Sequence, residues 1–469
     1  LESRYDICIT NERVVQPVLE IPLERRSGTP LYRQITAHLM RMIESGALAD
    51  GTRLPGTREL AAELGVSRTT TTLAYDVLEE EGYIHRSDRR GTFVNSRFRL
   101  HPVSQGEGHP LVDMASGLPS ADLIPWEKIS VLCRQEFSRY GHAVLEGAPL
   151  PGLPALRQAL VRHAATRGIP ARWNNVFVTS GVQQGLFLSF QALASRGVRK
   201  VWVEELTYPD VFSMSRNTGL ATGTVPLHVD GILEKCRCMG PEDVLYLVPS
   251  FQNPTGRTIS HEGRKAILDT AAERNFWVIE DDAYGELRYG EHSVPALRAL
   301  ETAEKVIYLG SFSQLLFPGI RQGYALVPGE LLKDFQDALL RSAGAVSSLL
   351  QRVVAAFLEG GHLEPCLERA RSAMSSRMRQ LALKLGEALP ELVFEVPQGG
   401  IYLWVTFPGV SDEKLAETAR NSGVEVACGR DFSACSQETF SVRLSVSRTG
   451  FPFIAKAVGR LAEAWRDLS

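Results

Sequence analysis

The chain has 469 residues, 44% of them hydrophobic, and a formal net charge of −3. Such a length predicts two or three globular domains, and the charge excludes indiscriminate coating of nucleic acid while leaving room for a local basic face. Charged or polar residues interrupt every apolar run before membrane-spanning length, and the start Leu1-Glu-Ser-Arg-Tyr-Asp has no signal-peptide pattern, so a cytoplasmic location without membrane contact is expected.

Residues 1–28 have no clear periodicity. Pro17 and Pro22 flank Val18-Leu-Glu-Ile21, read as an N-terminal arm packing on another surface. From Pro30 the spacing of Leu31, Ile35, Leu39, Met42 and Ile43 predicts a helix ended by Gly46. Thr57 is placed to cap a short helix with Leu60, Ala61 and Leu64 inward. Gly65 allows a tight turn, and Ser67 caps a third helix running to Glu81. Leu73, Val77 and Leu78, with Tyr75 nearby, form its expected core side. Tyr83-Ile-His-Arg and Thr92-Phe-Val94 read as strands around the turn Asp88-Arg-Arg-Gly91.

Over residues 29–95 this order is a winged helix-turn-helix. The third helix begins with Ser67, Arg68, Thr69, Thr70 and Thr71, where a recognition helix meets base edges, and Arg68 is best suited to guanine. Arg53 and Arg58 sit where they can hold phosphates. The wing adds Arg86, Arg89 and Arg90, and Gly91 lets it approach the DNA backbone. A plain solvated face is the alternative that the pattern leaves open. Pro30-Leu-Tyr-Arg-Gln-Ile, Leu54-Pro-Gly-Thr-Arg-Glu-Leu-Ala, Gly65-Val-Ser-Arg-Thr-Thr and the wing from Glu81-Gly-Tyr to Gly91-Thr-Phe-Val resemble the GntR family of bacterial regulators. That resemblance implies binding to double-stranded operator DNA.

Residues 96–112 are polar and punctuated by Gly and Pro, and read as a linker. From residue 113 to 469, short apolar strands alternate with helical patterns, predicting an α/β domain with a mostly parallel sheet. Val176-Phe-Val-Thr-Ser-Gly-Val-Gln-Gln-Gly185 is strand, turn and helix, and the Ser180 and Gly181 amides at the helix start are able to bind a phosphate. Tyr208 follows a strand and is able to stack on a planar ring. Asn253 lies in the turn Gln252-Asn-Pro-Thr-Gly256. Trp277-Val-Ile-Glu-Asp-Asp-Ala-Tyr284 ends a strand with carboxylates, which pair with a protonated pyridine nitrogen or cap a helix. Ser311-Phe-Ser-Gln-Leu-Leu-Phe-Pro-Gly-Ile-Arg321 places small hydroxyls near an arginine, a good phosphate cradle. The seven cysteines supply no zinc ligand set, since Cys236 and Cys238 are one residue apart with no second pair, and no metal is expected.

In this order, and with Arg443 in Val442-Arg-Leu-Ser, these segments resemble the fold-type I pyridoxal-phosphate enzymes of the aspartate aminotransferase superfamily. A winged GntR head on such a body resembles the MocR/GabR subfamily of transcription regulators. The resemblance implies that Ser180, Gly181 and Val182 cradle the phosphate, Tyr208 stacks on the pyridine, and Asn253 and Tyr284 bond its 3-hydroxyl. It implies that Asp281 pairs with the ring nitrogen, that Ser311, Ser313 and Arg321 complete the phosphate site, and that Arg443 takes a ligand carboxylate. It also implies a homodimer, because sites of this fold type form at a dimer interface.

In that superfamily the residue after the second serine is the Schiff-base lysine, and here it is Gln314. An amide is neither a useful nucleophile nor a general base, so no catalytic residue is expected. Gln314 is a natural loss or a Lys→Gln replacement, and the sequence leaves both open. The reading is a transcription regulator whose body senses a small anionic effector. Pyridoxal 5'-phosphate or a related form binds non-covalently, or no cofactor binds. An aminotransferase with an accessory head, or a body kept as a dimerisation scaffold, are the alternatives.

Overall fold

Val176–Thr179, Asp243–Leu247, Trp277–Asp281 and Val306–Ser311 are apolar strands with little polar alternation. That is the pattern of a sheet covered on both faces, and in the computed structural model all four belong to one sheet, the last three in its middle and Val176–Thr179 at its edge. The structure describes residues 21–25, 28–44, 48, 51–80, 83–87, 91–94, 112–291, 294–342, 346–434 and 439–468. Arg89, Arg90, Gly46 and most of the expected arm and linker fall outside these residues. The chain forms two compact units, Leu1–Glu107 and Gly108–Ser469.

In the smaller unit, helices Leu31–Glu44, Thr57–Leu64 and Arg68–Glu80 pack with a three-stranded sheet of Arg53–Leu54, Gly91–Val94 and Ile84–Ser87. Ile35, Leu39, Leu60, Ala74, Tyr75 and Leu78 form its core. Ile21, expected in an arm, belongs to this same core. Thr57 is the first helical residue and not the cap. Gly56 holds the cap position, and its N–H donates to Glu59 Oε2 (3.2 Å). Leu73 is 43% exposed, and Ala74 takes the core place expected of it. Gly65 stands at φ +61°, the left-handed geometry that reverses the chain between the two helices. Thr71 is buried and its hydroxyl donates to the Thr57 carbonyl (2.8 Å), stapling the third helix to the second. Tyr75 Oη does the same to the Pro55 carbonyl (2.8 Å).

The larger unit is built on a seven-stranded sheet. Its spatial order is Val176–Thr179, Gly323–Leu326, Val306–Ser311, Trp277–Asp281, Asp243–Leu247, Lys200–Glu204 and Ala221–Val225. Gly323–Leu326 runs antiparallel to both neighbours, and the other pairings are parallel. Ligands of open α/β sheets lie beyond the carboxyl ends of the strands. Thr179, Glu204, Leu247, Asp281 and Ser311 mark that edge here. An antiparallel strand starts where its parallel neighbours finish, so Arg321, just before Gly323, arrives at the same edge as Ser311 and Ser180. The pairing of Gly323 with both Ser311 and Thr179 fixes that register. A Cβ at Gly323 would stand 2.8 Å from Gly181 Cα, so only glycine allows this approach. A second, antiparallel sheet is ordered Val393–Phe394, Tyr402–Thr406, Ser441–Ser445 and Ala427–Cys428, and it carries Arg443. The long helix Leu363–Ala388 packs along the helix Phe451–Arg466 in the same region.

Candidate functional site

The loops leaving that sheet edge converge on an open cleft of about 620 Å³. Gly181, Val182, Tyr208, Asn253, Asp281, Tyr284, Ser311, Ser313, Gln314 and Arg321, all singled out from sequence, line it together. Gln183, Val248 and Ala283 line it as well, and none of the three has a role predicted from sequence. The cleft lining contains one cation, Arg321, and one carboxylate, Asp281.

At one end the helix Gly181–Ser195 points its N-terminus into the cleft, beside Arg321. Arg321 holds a left-handed conformation at φ +44°, and its Nη2 donates to the Ser180 carbonyl (3.2 Å) and to Gln183 Oε1 (3.4 Å). It pairs with no carboxylate among the described residues, so its charge stays available to an anion. Ser180 departs from expectation: its N–H is already donated to Gln184 Oε1 (2.6 Å), and the residue does not line the cleft. Ser311 is buried, and its Oγ accepts the Ser313 N–H (3.1 Å), which stiffens the turn into Gln314. The Gln314 side chain, half-buried in the lining, makes no hydrogen bond among the described residues.

At the other end stands Asp281, 5% exposed. Tyr246 Oη donates to its Oδ2 (2.8 Å) and the Ala283 N–H to its Oδ1 (3.2 Å). Burial still outweighs these bonds and pushes the carboxyl up to about 6. The neighbouring Asp282 is locked to Arg167 (2.5 Å) and accepts from Tyr308 Oη (2.8 Å), which anchors the strand end that presents Asp281. Behind the cleft, Glu204 is fully enclosed. Its Oε2 accepts the Val248 N–H (3.2 Å), and burial raises its carboxyl to about 8.

Between the two ends Tyr208 donates its hydroxyl to Asp210, which also accepts Gln183 Nε2 (2.6 Å). Burial, then the bond to Asp210, keeps the Tyr208 hydroxyl protonated far above the usual phenol range. Tyr284 and Tyr402 share a hydrogen bond between hydroxyls (3.2 Å). Arg443 does not line the cleft. It lies one residue behind, 8% exposed, with Nη1 donating to Asn253 Oδ1 (2.7 Å) and its guanidinium packed 4.0 Å from the Tyr402 ring centre and 4.6 Å from that of Phe432. No carboxylate pairs with it among the described residues, and its Nε has no partner. A buried cation held this way is suited to a carboxylate from a ligand. Asp210, Tyr246, Tyr402 and Phe432 carried no signal that sequence spacing registers.

In the smaller unit, Arg53, Arg58, Ser67, Arg68 and Thr69 are exposed. Ser67 caps the third helix, its Oγ accepting the Thr70 N–H (3.1 Å) and bonding the Thr70 hydroxyl (2.8 Å). Those two hydroxyls are thus occupied with each other, and Thr71 is turned inward, so Arg68 and Thr69 are the free ends at the helix start. Arg86, on the wing strand as expected, is drawn toward that helix by Asp76 (2.6 Å) and Glu79 (3.2 Å), which share its charge. Gly91 has φ +116°, and a Cβ there would stand 3.0 Å from Arg53 Nε, so glycine lets the Arg53 side chain lie across the wing.

Residues 123–450 match the family of class I and II aminotransferases, and residues 31–94 match the gntR family of bacterial regulatory proteins. The chain is 28% identical to a probable rhizopine catabolism regulatory protein, MocR, of Rhizobium meliloti, over 89% of each chain. It is 29% identical to the HTH-type transcriptional regulator TauR of Rhodobacter capsulatus, over 96% of this chain and 100% of that one. Among solved structures it resembles a kynurenine aminotransferase of Pyrococcus horikoshii in complex with PMP, with a TM-score of 0.71, 29% identity, and coverage of 77% of this chain and 92% of that one.

Proposed function

The chain belongs to the class I and II aminotransferase family and carries a head of the bacterial gntR regulatory family, and on that premise we propose a DNA-binding transcription regulator. Its body, from residue 113, senses a small anionic ligand, B6-related or amino-acid-like, without amino transfer. Its head, residues 29–95, binds operator DNA in the cytoplasm. The observation that carries the reading is Gln314. The motif places the Schiff-base lysine there, and the cleft that keeps Asp281, Ser311, Ser313 and Arg321 has no lysine in its lining.

The residues fit a phosphorylated pyridine ligand. Arg321 has no carboxylate to neutralise it among the described residues, the helix start at Gly181 adds its dipole, and Asp281 lines the same cleft. Gly181, Val182, Ser311, Ser313 and Arg321 would hold the phosphate, Tyr208 the ring face, Asn253 and Tyr284 the 3-hydroxyl, and Asp281 the ring nitrogen. Arg443 would take a carboxylate. Bound in an enzyme, such a group acts as an electron sink at the substrate carbon. Here the Gln314 amide offers neither the nucleophile nor the base that amino transfer needs. A homodimer with two heads would read repeated half-sites, and ligand binding would shift head spacing through its differential affinity for two states.

Two assays test this. Gel shift with the DNA upstream of its own gene should show salt-sensitive binding that Arg68→Ala removes. Incubation of the full-length protein with B6 phosphate, an amino-acid donor panel and a keto-acid acceptor should give no keto product. Robust turnover would make the protein an aminotransferase with an accessory head.

A further inference from the structure

We propose that the cleft selects the amine form of its B6-type ligand, pyridoxamine phosphate, over the aldehyde, with Gln314 accepting the ligand amine where a lysine is missing. This rests on the reading that the cleft binds a phosphorylated pyridine. It adds which chemical form is bound and which residue chooses it.

The first argument is charge. The cleft lining holds one cation, Arg321, and one carboxylate, Asp281. A lysine at position 314 would add a second cation. Without it, an aldehyde ligand brings a phosphate dianion and a pyridinium and leaves negative charge uncompensated. The amine form carries its own ammonium, so the ligand itself supplies the charge that the chain lacks. Asp210 lies close outside the lining and favours a cation further.

The second argument is hydrogen-bond polarity. Gln314 lines the cleft with an unpartnered amide, whose Oε1 is free to accept. The Tyr208 hydroxyl spends its proton on Asp210 and shows the cleft a lone pair. The Ser311 Oγ accepts an N–H and the Tyr284 and Tyr402 hydroxyls are bonded to each other, so Ser311 and one of the two tyrosines keep a proton to donate. Toward an amine the wall near the ring thus offers the Gln314 Oε1 and the Tyr208 oxygen as acceptors. An ammonium satisfies such a wall with charge-assisted bonds, roughly twice as strong as neutral ones. An aldehyde oxygen obtains only neutral N–H or O–H bonds there.

The test is direct titration of the full-length protein, by calorimetry or protein fluorescence, with pyridoxamine phosphate, pyridoxal phosphate and inorganic phosphate. The expected result is at least about ten-fold tighter binding of the amine form. Gln314→Glu should widen that gap. Gln314→Lys should reverse it, because the lysine Nζ condenses with the aldehyde carbon, a C=N bond forms and the aldehyde oxygen leaves as water. Borohydride then reduces that bond and fixes the ligand to the protein, visible by mass. Equal affinity of the wild type for the two forms, or tighter aldehyde binding, overturns the inference while leaving the cleft reading intact. If neither pyridine form binds better than inorganic phosphate, both fall. The wild-type comparison needs no variant to fold.

Discussion

Arg443, on the small antiparallel sheet, donates through Nη1 to Asn253 Oδ1 at 2.7 Å, and Asn253 lines the ligand cleft. The guanidinium thus touches the cleft wall from behind while lying buried against the rings of Tyr402 and Phe432. A ligand carboxylate that engages Arg443 competes with Asn253 for the same donors, so occupancy of one place is felt at the other.

The first prediction follows from that sharing. With pyridoxamine phosphate present, carboxylate-bearing amino acids should raise the melting temperature of the wild type. Arg443→Ala should abolish the response, and Arg443→Lys should restore little of it, since a lysine has charge without the bidentate fork. Asn253→Ala should change the response by less. The two sites should be non-additive by about 0.5–3 kcal/mol in a double-mutant cycle, as expected of contacting residues. A full response in Arg443→Ala would move the carboxylate subsite elsewhere.

The second prediction concerns Asp281, whose carboxyl is pushed up to about 6 chiefly by burial. Only its ionised form pairs with a pyridinium. Affinity for pyridoxamine phosphate should therefore hold above about pH 7 and fall as pH drops through 6. A phosphate monoester also titrates near 6, so the control is Asp281→Asn. That variant should bind about ten- to a hundred-fold more weakly at pH 8, the loss of one charged hydrogen bond. It should keep only the shallower pH dependence of the phosphate. An unchanged pH profile would remove Asp281 from the ring-nitrogen role.

Most of the cleft was legible in the sequence because each motif sits at the carboxyl end of a strand, where connectivity alone brings them to one edge. Ser311, Gln314 and Arg321 lie within one loop, and their grouping needed no tertiary information. The partners were not legible. Tyr246 reaches Asp281 from a neighbouring strand, and Tyr402 reaches Tyr284 across 118 positions. Ser180 misled because its N–H found a side-chain acceptor one turn along the helix, Gln184, a local competition that spacing does not reveal. In the head, helical periodicity found the third helix but placed Leu73 inward. Helices tolerate one residue of rotation in such a pattern, and Ala74 and Tyr75 are what the core accepts. Arg86 looked like a wing phosphate contact because Asp76 and Glu79 face it only after the chain has folded back.

The third prediction uses Glu204, fully buried beside the Val248 N–H and raised to about 8. Its folded-state value lies above its unfolded one, about 4.5. Between these values the native state binds more protons than the unfolded one, so stability falls as pH rises from about 4.5 to 8. Glu204→Gln keeps the shape and removes the ionisation. It should match the wild type near pH 5 and be more stable at pH 8, by on the order of 3 kcal/mol. Calorimetric melting of both proteins across that range checks it. A variant that is less stable at every pH would show that the carboxyl is needed as a carboxylate.

The fourth prediction separates the two kinds of arginine on the head. Arg68 stands exposed at the start of the third helix beside Thr69, and the neighbouring Ser67 and Thr70 hydroxyls are occupied with one another. Arg68 is therefore the residue expected to carry most of the base readout. Arg68→Ala should cost about 1–3 kcal/mol on the cognate site and little on random DNA, so the specificity ratio collapses. Arg58, exposed on the preceding helix, is placed for a phosphate. Arg58→Ala should weaken cognate and random DNA alike and reduce the slope of log affinity against log salt by about 1. Thr71→Val supplies the structural comparison, because its hydroxyl holds the two helices together at Thr57 (2.8 Å) and otherwise meets only the main-chain carbonyl of Arg68 (3.0 Å), not its side chain. It should lower the stability of the head by about 1–2 kcal/mol and leave both the specificity ratio and the salt slope of the folded protein unchanged. If Arg68→Ala behaved like Arg58→Ala, the third helix would be tracking the backbone, and sequence reading would pass to the wing.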